Sequence, residues 1–488
     1  VMGSSSNFVN DVMLYNNLGA GSVYNKPESN ATQWSLMSYL ARINYTLKHK
    51  YLFSVNARVD GSSRFGTNNK YGFFPSASAG WRISEEAFME PVKEVISNLK
   101  LRASYGFTGN TEIGVYESLA TLGTSNWILG NQLVSGFFPN KIPNPDLKWE
   151  RTGQFDIGLD LGLFNNRLRI TTDYYKKKTT DLLYSVAVPA TSGYQTMLKN
   201  IGSIENQGYE LSIESDNLTG AFSWTTAFNI AFNRNKVLEL GGEEYKEMAE
   251  GDGHLKTGSV RRLIVGEPIG VFYGYRFDGI FQNEEECKQQ TSSASPIGVG
   301  LRRYKDLNGD GKVDAANDRE ILGDANPKFF GGLTNTFAYK GFELNVFLQY
   351  SYGNKILNYN AMELENPTGG QNAYADMVNR WTPENPSNIY PKATTNRALL
   401  VSDRFIEDGS YLKLKTLSLS YSFPKINLKH IQGLRLYVTG QNLLTWTKYR
   451  GYDPEVSYRG ASTLEAGEDF GGYPQSRTFM FGIKLDIK

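Results

Sequence analysis

Along most of the chain, apolar residues occupy every second position in segments of roughly seven to thirteen residues. In 342–350, Phe342, Leu344, Val346, Leu348 and Tyr350 share one face, while Glu343, Asn345 and Gln349 share the other with Phe347. Residues 168–175 set Leu168, Ile170 and Tyr174 opposite Arg169, Thr171 and Asp173. The C-terminus sets Phe479, Phe481, Ile483, Leu485 and Ile487 against Met480, Lys484, Asp486 and Lys488. Successive strand side chains point to opposite faces, so each segment predicts a strand with one apolar and one wet face. A soluble sandwich and a membrane barrel both give this alternation.

Connection lengths separate the two. Strands are predicted over 35–47, 51–60, 73–82, 99–105, 152–161, 168–178, 205–215, 223–233, 328–339, 342–350, 411–423, 434–441 and 477–487. Connections 48–50, 162–167, 216–222, 340–341 and 424–433 are short, whereas 106–151, 351–410 and 442–476 are long. Outer-membrane barrels alternate short periplasmic turns with long extracellular loops, and a sandwich has no reason to. The fold class is therefore all-β, an antiparallel transmembrane β-barrel. With the last strand running from outside to periplasm, 306–318, 351–410 and 442–476 share one rim, and 48–50, 162–167 and 340–341 the other. Segment 83–98 is long on the short side and predicts a small helix. In 411–423 the face of Leu417, Leu419, Tyr421 and Phe423 is out of phase with Leu412 and Leu414, which predicts a bulge near Lys415. Segment 263–281 looks strand-like, and parity allows it zero or two spans.

Composition agrees with a barrel. Aromatic residues make up 13%, with 30 Tyr, 27 Phe and 49 Gly, as turns and aromatic belts require. No stretch approaches 18 consecutive apolar residues, so a membrane-spanning helix is not expected. A formal net charge of +1 gives no field that would draw nucleic acid. One cysteine, Cys287, excludes a disulfide within the chain and a four-cysteine zinc site. The first residues lack the basic start and apolar core of a signal peptide.

Several segments carry a family resemblance. NPDLKWERTGQFDIGLDLGLFNNRLRITTDYYKKKTTDLL (144–183) and NIGSIENQGYELSI (200–213) are two of them. KDLNGDGKVD (305–314) leads into GDANPKFFGGLTNTFAYKGFELNVFLQYSYGN (323–354), followed by DGSYLKLKTLSLSYSFP (408–424), VTGQNLLTWTKYRGYDPE (438–455) and YPQSRTFMFGIKLDI (473–487). In this order they resemble the C-terminal half of SusC/RagA-like TonB-dependent transporters. The resemblance implies a 22-stranded barrel around a plug. It also implies a Gram-negative outer-membrane location, a SusD-like surface lipoprotein, energy from TonB, and glycan or peptide cargo. About 13 clear spans are too few for that barrel. Residues 1–488 are thus expected to be the C-terminal portion of one barrel domain that begins in an extracellular loop. Upstream strands, the plug and the TonB contact would come from elsewhere. A passive plug-free barrel and a secreted β-rich carbohydrate-binding protein are the alternatives.

Candidate chemistry is sparse. Asp306, Asn308 and Asp310 alternate as oxygen ligands do in a calcium loop, with Gly311 at the sharp turn. Lys312 would offer its carbonyl and Asp314 or Asp318 would complete the shell, although an EF-hand would place Glu where Asn317 stands. A metal-free Asx turn explains the same residues. Trp127, Trp381, Trp446, Tyr449, Tyr452, Tyr458 and Tyr473 lie on long loops and are candidates for stacking on cargo. Interfacial girdles explain most aromatics of such a chain equally well. The histidines are His49, His254 and His430, and no hydrolase or zinc motif accompanies them. No catalytic residue is expected. Lys176–Lys178 ends an upward strand and would meet anionic head groups.

Overall fold

The computed structural model describes residues 3–487 except 11, 13–15, 26–28, 195, 249–253, 256, 367–371, 396–398, 424–430, 456, 461 and 463. Each predicted strand is present, and together they form one 13-stranded antiparallel sheet in sequence order. The strands are β1 (Leu36–Leu47), β2 (Tyr51–Ser62), β3 (Tyr71–Arg82), β4 (Ile96–Asn110) and β5 (Glu150–Leu163). Next come β6 (Leu168–Thr180), β7 (Ser203–Thr219), β8 (Phe222–Glu239) and β9 (Phe329–Tyr339). β10 (Phe342–Tyr352), β11 (Tyr411–Ser422), β12 (Ile431–Thr447) and β13 (Thr478–Ile487) complete the wall.

Register fixes what each face is. From β4 to β12 one row of paired residues reads Leu99, Leu161, Ile170, Ile213, Phe228, Leu333, Leu348, Leu414 and Leu444. The row beside it reads Lys100, Asp160, Thr171, Ser212, Asn229, Gly332, Gln349, Lys413 and Thr445. Neighbouring rows point to opposite faces, so a continuous apolar belt backs a continuous polar one. The apolar face is bare within the chain: Ile43 is 70% exposed, Phe342 53% and Phe481 79%. Aromatics flank the belt. Phe222, Trp224, Phe337, Tyr339, Phe342 and Tyr421 cluster beside the short turns. Tyr174 and Tyr209, with Phe232, Phe329, Tyr350 and Tyr352, do so on the opposite side. Two aromatic girdles around an aliphatic band are what a bilayer selects.

Antiparallel order puts connections 48–50, 164–167, 220–221 and 340–341 on one rim and 111–149, 240–328, 353–410 and 448–477 on the other. The predicted bulge is real: Phe347 pairs with Thr416 and Leu348 with Leu414, skipping Lys415. That extra residue lets Leu414 and Leu417 both face outward while Lys413 and Lys415 face inward. Segment 83–98 forms two short 3-10 turns, Ile83–Glu85 and Ala87–Val92, and β4 begins at Ile96. There Tyr51, Lys50 and Trp81 all bond Glu86. These partners, the Tyr51 hydroxyl first, lower its carboxyl to about 2.

Segment 263–281 contributes no span. Its short strands Val271–Tyr275 and Phe277–Ile280 pair with Arg319–Asp324 and Arg302–Tyr304 inside connection 240–328. They look strand-like because Phe272 and Ile280 are fully buried in loop structure, not because they meet lipid. Connection 111–149 carries a hairpin, Thr121–Leu129 against Gln132–Lys141, turned by Gly130 and Asn131 at φ +57° and +60°. Among the described residues β1 and β13 are the two sheet edges, and no pairing joins them.

Candidate cargo site on the inner wall and loop rim

The long connections fold over the polar face and build their own core. Leu255, Val260, Phe272, Leu357, Tyr359, Met362, Leu399, Val401 and Phe405 form it, drawing on connections 240–328 and 353–410. Ion pairs stitch the third long connection on. Arg261 and Glu468 meet at 2.8 Å with side chains 1% and 2% exposed. Arg261 also donates to the carbonyls of Gly270 and Ala466 and lies over the Phe272 ring.

A second ion-pair network ties the loops to the wall. Lys413 of β11, 1% exposed, contacts Asp453 at 3.1 Å and also pairs with Glu455. Glu455 further accepts from Tyr411 at 3.0 Å and Gln349 at 3.2 Å. This contact puts the loop on the polar side of the sheet, because Gln349 and Lys413 belong to the polar row. Burial works against ionised Asp453, but the amides of Glu455 and Gln475 and the Lys413 ammonium outweigh it and hold its carboxyl low. Burial likewise opposes ionised Glu455, and Lys413 and Lys415 outweigh it, again lowering the carboxyl. A depressed folded-state value means stability that is full above the ordinary carboxylate range and lost as pH falls below it. The loop 448–477 should therefore loosen from the wall in acid before the strands melt. Hydrogen exchange across a pH series checks this, and equal protection loss in loop and strands would contradict it.

Further along the inner wall, Arg102 bridges Asp160 at 2.9 Å and Asp173 at 3.0 Å. Gly158 sits between them, and a Cβ there would lie 2.1 Å from an Asp173 oxygen. Above, a cavity of about 750 Å³ opens between connections 111–149 and 181–202, with Glu117, Phe138, Lys141 and Tyr194 on its walls. That volume lies in the range of ligand clefts. Phe138 and Tyr194 did not stand out in the sequence; the Gly130-Asn131 turn signal of the Phe138 hairpin was the clue available.

The aromatic candidates separate. Tyr449 is 5% exposed and donates to Asp469 at 2.6 Å; burial first, then that bond, push its hydroxyl up, and it serves the loop core. Trp381 donates to Gln282 at 3.1 Å and packs on Gly300, so it too is structural. Trp446 pairs with Leu412 on the apolar face and belongs to the outer girdle. These three are withdrawn as cargo contacts. Trp127 (57%), Tyr452 (82%), Tyr473 (90%) and Tyr458 (41%) are exposed.

The calcium-like loop closes on itself. Asp306 accepts from the amides of Gly309 and Gly311 at 2.7 Å each. Asn308 donates to Asp310 at 3.0 Å, and Asp310 accepts from the Lys312 amide at 2.8 Å. Lys312 pairs with Asp314 at 3.0 Å. Asp318, fully buried, accepts from the amides of Leu307 and Asp314 at 2.7 Å each. Among the described residues no group of three or more acidic, His or Cys side chains converges as a metal shell. The loop's oxygens serve its own backbone, and an Asx turn accounts for that arrangement without an ion. Asp318→Ala should cost about 1–3 kcal/mol by orphaning two amides. The loss should be equal in EDTA and in calcium, read by thermal melting; a loss seen only with calcium would restore the metal reading.

Lys176 pairs with Glu205 at 3.1 Å on the outer face, and Lys177 lies over the Tyr175 ring. His430 lies outside the described residues.

Comparison with known proteins adds lineage. The model of the family "TonB dependent receptor-like, beta-barrel" matches residues 3–443. TonB-dependent receptor P3 of Formosa agariphila is 41% identical over 98% of this chain and 48% of its own length. TonB-dependent receptor SusC of Bacteroides thetaiotaomicron is 32% identical over 94% of this chain and 44% of its own. The solved RagAB peptide importer in its "open-open" state superposes with a TM-score of 0.81 at 27% identity, covering 97% of this chain and 49% of that one. The chain thus spans about half the length of the curated relatives it matches.

Proposed function

This chain belongs to the TonB-dependent receptor β-barrel family, in its SusC/RagA-like branch, and on that premise we propose that it walls an outer-membrane importer of oligomeric nutrients. The observation that carries the reading is the paired rows: an unbroken polar belt, met by folded loops at Gln349 and Lys413, behind an unbroken apolar one. A conduit through lipid needs both faces, and a secreted carbohydrate-binding protein has no use for an exposed aliphatic band with two girdles. The edges at β1 and β13 support a place within one larger barrel domain, since unpaired strand backbone is costly in lipid. Further strands would pair with both edges, and a plug would fill the lumen and carry the TonB contact. A SusD-like lipoprotein would cover the loop rim. The mechanism is transport: the inner wall and loops bind cargo, and TonB supplies mechanical energy. Glycan and peptide both suit a polar wall with exposed Trp127 and Tyr452; the RagAB likeness favours peptide.

Growth of a strain lacking the gene tests this. Growth should fail on one class of oligomer, peptide or glycan, and persist on its monomers. Undiminished growth on every oligomer that the parent strain uses would overturn the reading.

A further inference from the structure

Positive charge gathers on the outer face of three adjacent strands, just beyond the aromatic row on the long-loop side. Along β6, β7 and β8 that row reads Tyr174, Tyr209 and Phe232. The next outward row reads Lys176, Gln207 and Arg234, and the one after it Lys178, Glu205 and Lys236. Four cations thus surround one carboxylate. Adjacent strands lie about 4.8 Å apart and alternate residues about 7 Å, so the four share a patch of roughly 10 by 7 Å. The row beyond adds Arg151 and Glu239, one charge of each sign. Glu205 is taken by Lys176 at 3.1 Å. Among the described residues Lys178 and Lys236 are exposed and form no ion pair, and neither does Glu267 of the loop beside Lys236. Arg234, also exposed, donates only to the carbonyls of Asn233 and Lys328, at 2.9 and 3.0 Å.

Ordinary solubility would scatter charge around the rim, yet the outward positions at the same ends of β4, β10 and β12 are Tyr105 and Phe107, Tyr352, and Trp446. A cation on a lipid-facing wall is costly at mid-bilayer and tolerated at head-group level, where its stem can lie along apolar surface. On the other side of the aromatic row the same strands turn aliphatic outward, with Ile170 on β6, Leu211 and Ile213 on β7, and Ile230 on β8. Charge, ring and aliphatic chain therefore follow one another along each strand in the order of a lipid's head group, interface and acyl chains. We propose that β6, β7 and β8 form a binding site for a phosphorylated lipid of the outer leaflet, its phosphate held by Lys178, Arg234 and Lys236 and its acyl chains on the aliphatic belt. A phosphate accepts several charge-assisted bonds at once, and the guanidinium with two ammonium groups supplies them. The inference rests on the outer-membrane placement of the wall and is independent of what cargo passes through it.

The full-length protein in detergent micelles is tested with lipid A as the probe, in phosphorylated and dephosphorylated forms. Native mass spectrometry should find the phosphorylated form bound and the dephosphorylated form about a hundredfold weaker, since each cation near a lipid head group contributes roughly a factor of five. Lys178→Gln, Arg234→Gln and Lys236→Gln together should bring the phosphorylated form down to the same level, with the Lys176–Glu205 pair left intact. Excess inorganic phosphate should displace little of the lipid, because it has no acyl chains to bury. The comparison of the two lipid forms on the unaltered protein decides the matter if the triple variant misfolds. Equal binding of the two forms, binding unchanged in the triple variant, or full displacement by inorganic phosphate would each overturn the proposal.

Discussion

Arg261→Ala is expected to destabilise the loop core by about 3–5 kcal/mol, the usual loss when one partner of a buried ion pair is removed. The size follows from the geometry. Glu468 would be left 2% exposed with Arg459, at 3.4 Å, as its remaining cation. The carbonyls of Gly270 and Ala466 would lose their donor, and Phe272 its guanidinium. The loss should be local. Protease sensitivity should rise in 240–328 and 448–477 while the barrel still resists unfolding in detergent. If those loops stay as resistant as in the unaltered protein, the pair does not hold them. Substitution by a hydrophobic residue together with Glu468→Leu should recover much of the loss, because replacing a buried pair with apolar volume is often neutral.

The second large effect is on the wall. Leu348→Arg should cost about 2–4 kcal/mol, the penalty for a charge on the lipid face near the bilayer midplane. Leu348 sits in the middle of the aliphatic row between Leu333 and Leu414, with an aromatic girdle on either side. Its neighbour Gln349 points the other way and bonds Tyr411 at 3.3 Å and Glu455 at 3.2 Å. Gln349→Arg should therefore cost far less in barrel stability. Reversible unfolding into lipid vesicles measures both. Equal penalties at 348 and 349 would mean that the two faces are not lipid and lumen.

How far the sequence alone leads depends on which periodicity a segment obeys. Strands such as Phe342–Tyr352 alternate against a fixed environment on each side, so face, partner and register follow from the pattern. The bulge at Lys415 was readable for the same reason, because a phase slip in an alternating pattern has few other causes. The loops obey no period. Tyr449 looks like any rim aromatic until Asp469, twenty residues on, is found against its hydroxyl. Lys413 reads as an ordinary polar wall residue, yet its partners Asp453 and Glu455 lie forty and forty-two positions away in a loop. Segment 263–281, which parity left open at zero or two spans, shows the converse limit. Apolar residues buried in a small loop core mimic a transmembrane strand, and only the pairing with Arg319–Asp324 and Arg302–Tyr304 tells them apart.

Dependence on TonB separates an energised importer from a passive pore built on the same wall. The direct measurement is uptake of a fluorescent oligomer by cells carrying the full-length protein, with TonB present and with TonB deleted. The account predicts that oligomer accumulation falls to the level of cells lacking the importer once TonB is gone. Uptake at an unchanged rate without TonB would contradict it and identify the wall as that of a plug-free channel.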